Sequence, residues 1–204
     1  MRSPNTKSSW VEPVTLEGRA VRLETLGDAH WEGLCEVGLD DELWRWTLAH
    51  VRTREEMRAY LEVALKGQTE GTILPFAILA KQSAQVVGST RFGNIDRENR
   101  RVEIGWTWIG RRWQRTVVNT ETKYLMLRHA FESLGCVRVE LKTDILNQTS
   151  RRAILRLGAK EEGILRRHMI TDSGRIRDTV YYSIIDVEWA EVKVRLEAKL
   201  ATPA

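Results

Sequence analysis

Between Arg101 and Thr143 the chain writes a strand, a basic loop, a long helix and a second strand in direct succession. Arg101–Ile109 is strand-like. The stretch Thr120–Leu134 has helical character, with Gly135 as its stop. Cys136–Thr143 then alternates Val137, Val139 and Leu141 with Arg138, Glu140 and Lys142, the period of a half-buried strand. Such a unit commits the middle of the chain to a sheet carrying a helix on its face.

The flanking segments fix what kind of sheet. Arg19–Glu24, Leu74–Ala80 and Gln85–Phe92 read as strands before the unit, with turn signals at Gly93-Asn94 and Asp96–Asn99. Leu165–Ile170 and Ile176–Ile185 follow it around Thr171-Asp172-Ser173-Gly174, a hairpin turn by composition. Helices are expected at Asp28–Leu39, from the capping box Thr53-Arg54-Glu55-Glu56 to Gly67, at Gln148–Leu157 before Gly158, and at Glu188–Leu200. The order βααβββαβαββα describes an α/β (α+β) fold: a mixed, mostly antiparallel central sheet flanked by helices, not a doubly wound one.

With 204 residues and no internal repeat or Pro/Gly/Ser-rich linker, one domain is expected over 14–200, behind a flexible N-terminal tail at 1–13. Two cysteines, Cys35 and Cys136, make no disulfide framework, and no apolar run reaches membrane-spanning length. A cytoplasmic protein with no membrane partner follows as the expectation. The four histidines stand at no ligand spacing, so no metal is expected. The net charge of +4 fits either a solvated surface or a phosphate-rich ligand. Its arginines are spread over many elements, and nucleic-acid binding is not expected.

The loop Arg111–Thr120 joins strand to helix, with Asn119 or Thr120 suited to the N-cap and Glu121 to the first turn. A helix start offers unpaired amides and partial positive charge to a phosphate, and Arg111, Arg112 and Arg115 add to it. The plain alternative is a basic loop before a well-capped helix.

At this point the sequence resembles the GNAT superfamily of acetyltransferases, nearest the branch named for ribosomal-protein N-terminal acetyltransferases. The stretches that carry the resemblance are Glu103-Ile104-Gly105-Trp106, Arg128-His129-Ala130-Phe131-Glu132, Ser150-Arg151-Arg152-Ala153-Ile154, Leu157-Gly158-Ala159 and Arg177-Asp178-Thr179-Val180-Tyr181-Tyr182. Their order and spacing span Leu16 to Trp189. The resemblance implies a sheet splayed between the fourth and fifth strands, Val102–Ile109 and Cys136–Thr143, with acetyl-CoA in the opening. It implies a pantetheine arm along Trp108 and Ile109, and pyrophosphate on Gln114, Arg115, Thr116, Val117, Val118, Asn119 and Thr120. Asn147 and Arg152 would also contact CoA, although Asn147 equally suits a helix cap. The family's loop has Gly where this chain has Val117, and Gly or Ala where it has Asn119. Either the loop takes a changed path or cofactor affinity is reduced.

Glu103 is the candidate general base. It shares a strand face with Gly105 and Thr107, opposite Val102, Ile104, Trp106 and Trp108. Its alternative is a cross-strand ion pair, for instance with Arg91. The family's usual thiolate-protonating tyrosine position holds Ile154, and Ser150 is the substitute; its alternative is an ordinary first-turn serine. The acceptor would be a small-molecule or peptide amine, and His168 is a candidate to face it. Tyr181 and Tyr182 share the final strand with Asp178; tyrosines there are usually sheet packing, and the alternative is that one lines the acceptor pocket. Trp44 and Trp46 are read as core before stacking platform. A homodimer stays open, as does a non-catalytic acyl-CoA-binding module acting through a partner.

Overall fold

Among residues 10–201, which the computed structural model describes, eight strands form one sheet in the order β1-β2-β3-β4-β5-β6-β8-β7. They are β1 (Leu16–Glu17), β2 (Val21–Thr25), β3 (Leu74–Ala80), β4 (Gln85–Asp96), β5 (Arg101–Ile109), β6 (Arg138–Asp144), β7 (Lys160–Ile170) and β8 (Ile176–Ile185). The helices are α1 (Trp31–Gly38), α2 (Asp41–Trp44), α3 (Arg54–Thr69), α4 (Val117–Arg128), α5 (Gln148–Leu157) and α6 (Asp186–Ala201). Every strand pairing is antiparallel except β5 with β6. The mixed, mostly antiparallel sheet flanked by helices is therefore as the sequence implied.

The parallel pair is short. Arg101, Val102 and Glu103 face Arg138, Val139 and Glu140 in register, and pairing stops there although β5 runs on to Ile109 and β6 to Asp144. The two strands diverge beyond Glu103. Because a two-residue strand precedes them all, the expected fourth and fifth strands are β5 and β6.

Two apolar cores lie on opposite faces of the sheet. One gathers Phe76, Ile78, Phe92, Val102 and Ile104 with Leu125 of α4 and Trp189, Val192 and Leu196 of α6. The other gathers Ala77 and Trp108 with Leu34 of α1, Trp44 of α2 and Met57, Tyr60 and Leu61 of α3. Trp108 and Ile104 thus face opposite ways, which corrects the single core face expected for Val102, Ile104, Trp106 and Trp108. The cause is a bulge: Trp108 faces Ser89, but Gly105 already faces Arg91. One extra residue inverts the alternation of everything after it. Trp106 takes the strain, with φ of 49°.

Several ends move from their expected places. Gly67 is buried inside α3, which runs on to Thr69. β4 continues through Gly93-Asn94 to Asp96. The capping box at Thr53 and Glu56, and the left-handed Gly158 closing α5, stand as read. Of the tail expected over 1–13, residues 1–9 lie outside the described residues. Trp10 donates its indole N–H to the Leu134 carbonyl at 3.1 Å, and Val11 is buried in the core.

α4 is tied to the far edge of the sheet by Glu121, which lies one turn in from its start at Val117. Its carboxylate accepts from the backbone N–H of Arg19 at 2.8 Å and of Ala20 and Val21 at 2.7 Å each. Gly18 gives it room, since a Cβ there would meet the carboxyl carbon at 2.4 Å. This acid is a structural clamp and not the first-turn charge expected from the sequence, because α4 starts earlier, at Val117. Glu121→Gln leaves amides without a charged acceptor and is expected to lower unfolding free energy by about 2–3 kcal/mol, read by urea denaturation.

Candidate active site

The mouth of the β5–β6 opening is set by the loop and by the start of α4. α4 begins at Val117 with Thr116 as N-cap, its hydroxyl oxygen accepting from the Val118 N–H at 3.3 Å. Asn119 and Thr120 therefore lie inside the first turn, a correction to their expected capping role. Val117 is helical and needs no glycine; the left-handed residue is Arg115, with φ of 59°. The loop thus takes the changed path. The amides of Val117 and Asn119, at the first and third helical positions, have no intrahelical acceptor. Arg112 and Arg115 are exposed beside them, and Arg111 pairs with Asp40 at 2.6 Å. Gln114 is held elsewhere: its amide donates to the Ile109 carbonyl at 2.9 Å. The Val118 side chain is buried in the core.

β5 lines the opening. Past Glu103 it has no strand on the β6 side, and of its backbone groups the Ile109 carbonyl is taken by the Gln114 amide. The rings and side chains of Trp108 and Ile109 are buried, Trp108 against Trp44 with centroids 5.4 Å apart. Trp44 is core, as expected. Trp46 is not: it is half-buried, with Arg45 and Arg175 over its ring at 4.9 and 5.4 Å. α5 flanks the other wall. Asn147 caps it, its side chain accepting from the Ser150 N–H at 2.9 Å. Ser150 is half-buried in the first turn, and Arg152 is exposed.

Glu103 is 2% exposed and lies on the α3 side of the sheet. Its partner is not Arg91. Lys142 of β6 approaches Oε2 at 2.8 Å across the start of the opening, and the Asn94 side-chain amide donates to the same oxygen at 2.6 Å. Burial raises its pKa above the ordinary carboxylate range, against the pull of Lys142. A cavity of about 540 Å³ opens beside Asn94, lined also by Arg101, Glu140 and Tyr181. Tyr181 lies against Lys142 at 5.8 Å and His168 at 5.7 Å. Tyr182 is core, its hydroxyl accepting from Arg151 at 3.1 Å. Asp178 accepts from the Arg167 N–H at 2.6 Å. Among the described residues, no group of three or more His, Cys, Asp or Glu is placed to hold a metal ion.

The sequence reading missed Lys123. It is 6% exposed on the sheet-facing side of α4, where Nζ donates to the Thr107 hydroxyl at 2.5 Å and lies 3.5 Å from that of Thr90. The bulge turns Thr107 toward α4, so strict alternation gave no sign of this contact. Burial pushes the Lys123 pKa down to about 7, with the Glu103 charge opposing. An unfolded lysine releases its proton near 10.4. Between about 7 and 10.4 the unfolded chain holds more protons, so Lys123 makes stability rise with pH across that window. Below it the fold carries the full cost of a buried ammonium. Lys123→Met is expected to stabilise the protein by about 1–4 kcal/mol at pH 6, with a smaller gain at pH 9, read by chemical denaturation at both.

Residues 20–160 match the acetyltransferase (GNAT) domain family. A GCN5-related N-acetyltransferase structure from Brucella melitensis is 35% identical, with a TM-score of 0.87 over 94% of this chain and 87% of that one. The uncharacterized N-acetyltransferase p20 of Bacillus licheniformis is 26% identical over 181 residues, 88% of this chain and 99% of p20. Mycobacterium smegmatis RimJ, solved with CoA-disulfide, shares the fold with a TM-score of 0.78 at 22% identity, over 92% of this chain and 95% of that one. No described helix is long and apolar enough to cross a membrane. The chain therefore belongs to the GNAT superfamily of acyl-CoA-dependent N-acetyltransferases.

Proposed function

We propose that this protein transfers an acetyl group from acetyl-CoA to a primary amine, by direct attack within a ternary complex. The observation that carries the reading is the divergence of β5 from β6 after three paired residues, with the start of α4 at its mouth. That arrangement suits a ligand with an amide-bearing arm and a pyrophosphate. The open edge of β5 at Trp108 and Ile109 would pair with the arm. The first-turn amides of Val117 and Asn119, with exposed Arg115, would hold the phosphates. Thr116, Val118 and Thr120 shape that turn, and Asn147 and Arg152 supply the α5 wall. Gln114 acts indirectly, bracing the Ile109 carbonyl.

Glu103 is the general base in this reading. An alkylamine of pKa about 10.4 is mostly protonated at neutral pH, whereas an α-amine at about 7.7–8.0 needs less help. A carboxylate whose pKa is raised by burial accepts a proton more readily than an exposed one. Lys142 and Asn94 hold its orientation. Ser150 donates the proton to the departing thiolate. The acceptor is a protein N-terminal α-amine or a small-molecule amine. Both cysteines are buried free thiols, and burial pushes that of Cys136 up to about 12, which suits a reducing cytoplasm.

Calorimetric titration with acetyl-CoA is the first test. Micromolar binding supports the reading, and no binding at millimolar ligand overturns it. Glu103→Gln is expected to lower kcat by about 10²–10⁴-fold with little change in acetyl-CoA binding. It should also erase the acid limb of the pH–rate profile, where activity falls as Glu103 takes up its proton. Unchanged turnover at neutral pH would remove Glu103 from the mechanism. Ser150→Ala is expected to slow thiolate release; a full-rate variant assigns that proton to water.

A further inference from the structure

Arg91 is a poorly compensated buried charge on the α3 side of the sheet. It sits in β4, opposite Gly105, and is 2% exposed. Its Nε and one terminal nitrogen are buried without a hydrogen-bond acceptor, and among the described residues no carboxylate lies within ion-pair distance. Its guanidinium rests on the Tyr60 ring at 4.4 Å and lies 5.9 Å from that of Trp106. A guanidinium stays protonated at any physiological pH, so it cannot escape burial by losing its charge. Aromatic faces offset part of the cost, but the in-plane N–H groups of two nitrogens remain unused.

The position of this cation is informative. Glu103 lies two residues before Gly105 on β5, on the same face and about 7 Å along the strand. The Glu103 carboxylate is already taken by Lys142 and Asn94, and the nearby Asp144 by Arg175 at 2.5 Å. Buried Arg177 is already partnered, by the Thr179 hydroxyl at 3.2 Å and by Asp144 at 4.0 Å, so it leaves no free carboxylate for Arg91. Trp106 roofs this region. Its ring covers Gly93, where a Cβ would meet it at 2.4 Å, and it is 37% exposed on a strained backbone.

From this geometry we propose that Arg91, walled by Tyr60 and Trp106, is the anchor for a carboxylate carried by the acceptor amine. The acceptor class is then an amine with an acidic group close to the reacting nitrogen, either a free amino-acid-like molecule or a peptide with an acidic residue near its N-terminus. This rests on the acetyltransferase reading and adds the acceptor's charge to it. A planar guanidinium with two free donors takes a carboxylate in a forked pair, which a lysine cannot imitate. The amine would then lie toward Glu103.

The test is calorimetric titration without acetyl-CoA, so a failure of donor binding leaves it readable. The probes are glutarate, its neutral diamide, and the amidated peptides Ser-Glu-Ala and Ser-Gln-Ala. Wild-type protein is expected to bind glutarate or the Glu peptide at least tenfold more tightly than the neutral counterpart. Arg91→Met should abolish that preference and Arg91→Lys should weaken it. Whichever acidic probe binds more tightly identifies the source of the carboxylate. Arg91→Met should also raise the thermal midpoint, because an unpaired buried charge is removed. Equal binding of acidic and neutral probes, a preference that survives Arg91→Met, or a lowered midpoint in that variant would each overturn the proposal.

Discussion

The structure depends on a pairing that ends early. β5 and β6 share three residue pairs and then part, because β6 turns away to pair with β8 along its whole length, from Arg138 opposite Ile185 to Asp144 opposite Thr179. β5 meanwhile stays with β4 to Ile109. Each strand satisfies its backbone on the outer side, so the opening between them costs ladder hydrogen bonds on the inner side alone. In the proposed reading, a ligand that brings its own amides would restore them.

Around that opening, buried charges differ in how fully the protein compensates them. Glu121 of α4 is satisfied by three backbone amides at the β1–β2 turn. Glu103, on β5, is held by one cation and one amide. Lys123, on the opposite face of the sheet, has hydroxyls for partners, and Arg91 of β4 has rings. Poorly compensated buried charges such as the last two are the usual candidates for a functional role.

Much of this was legible in the residues. The strand–helix–strand unit, the capping box at Thr53, the left-handed Gly158 and the placement of Glu103 on the face opposite Val102 and Ile104 all follow from local patterns that obey a fixed period or a fixed cap geometry. What escaped depends on distant or irregular backbone. Thr116 was hidden as a cap because Val117 and Val118 are β-branched and resemble a strand end, whereas their helical start is set by packing of Val118 into the core. The pairing of Glu103 with Lys142 needs the parallel register of two strands some forty residues apart, and no local pattern encodes it. Arg91 was assigned the partner that alternation suggests; it does lie on the same face as Glu103, but over Tyr60 instead.

The bulge at Trp106 has a consequence for how this fold can change over time. Residues after it, Thr107 through Ile109, sit on the faces they do because one residue is counted twice against Thr90. Substitution leaves that count intact, whereas loss of a single codon between Gly105 and Trp108 would restore regular alternation. Trp108 would then leave its place beside Trp44, and Thr107 would turn away from Lys123. The length of this stretch is thus constrained independently of its side chains: a deletion would move several contacts at once, where a substitution disturbs one.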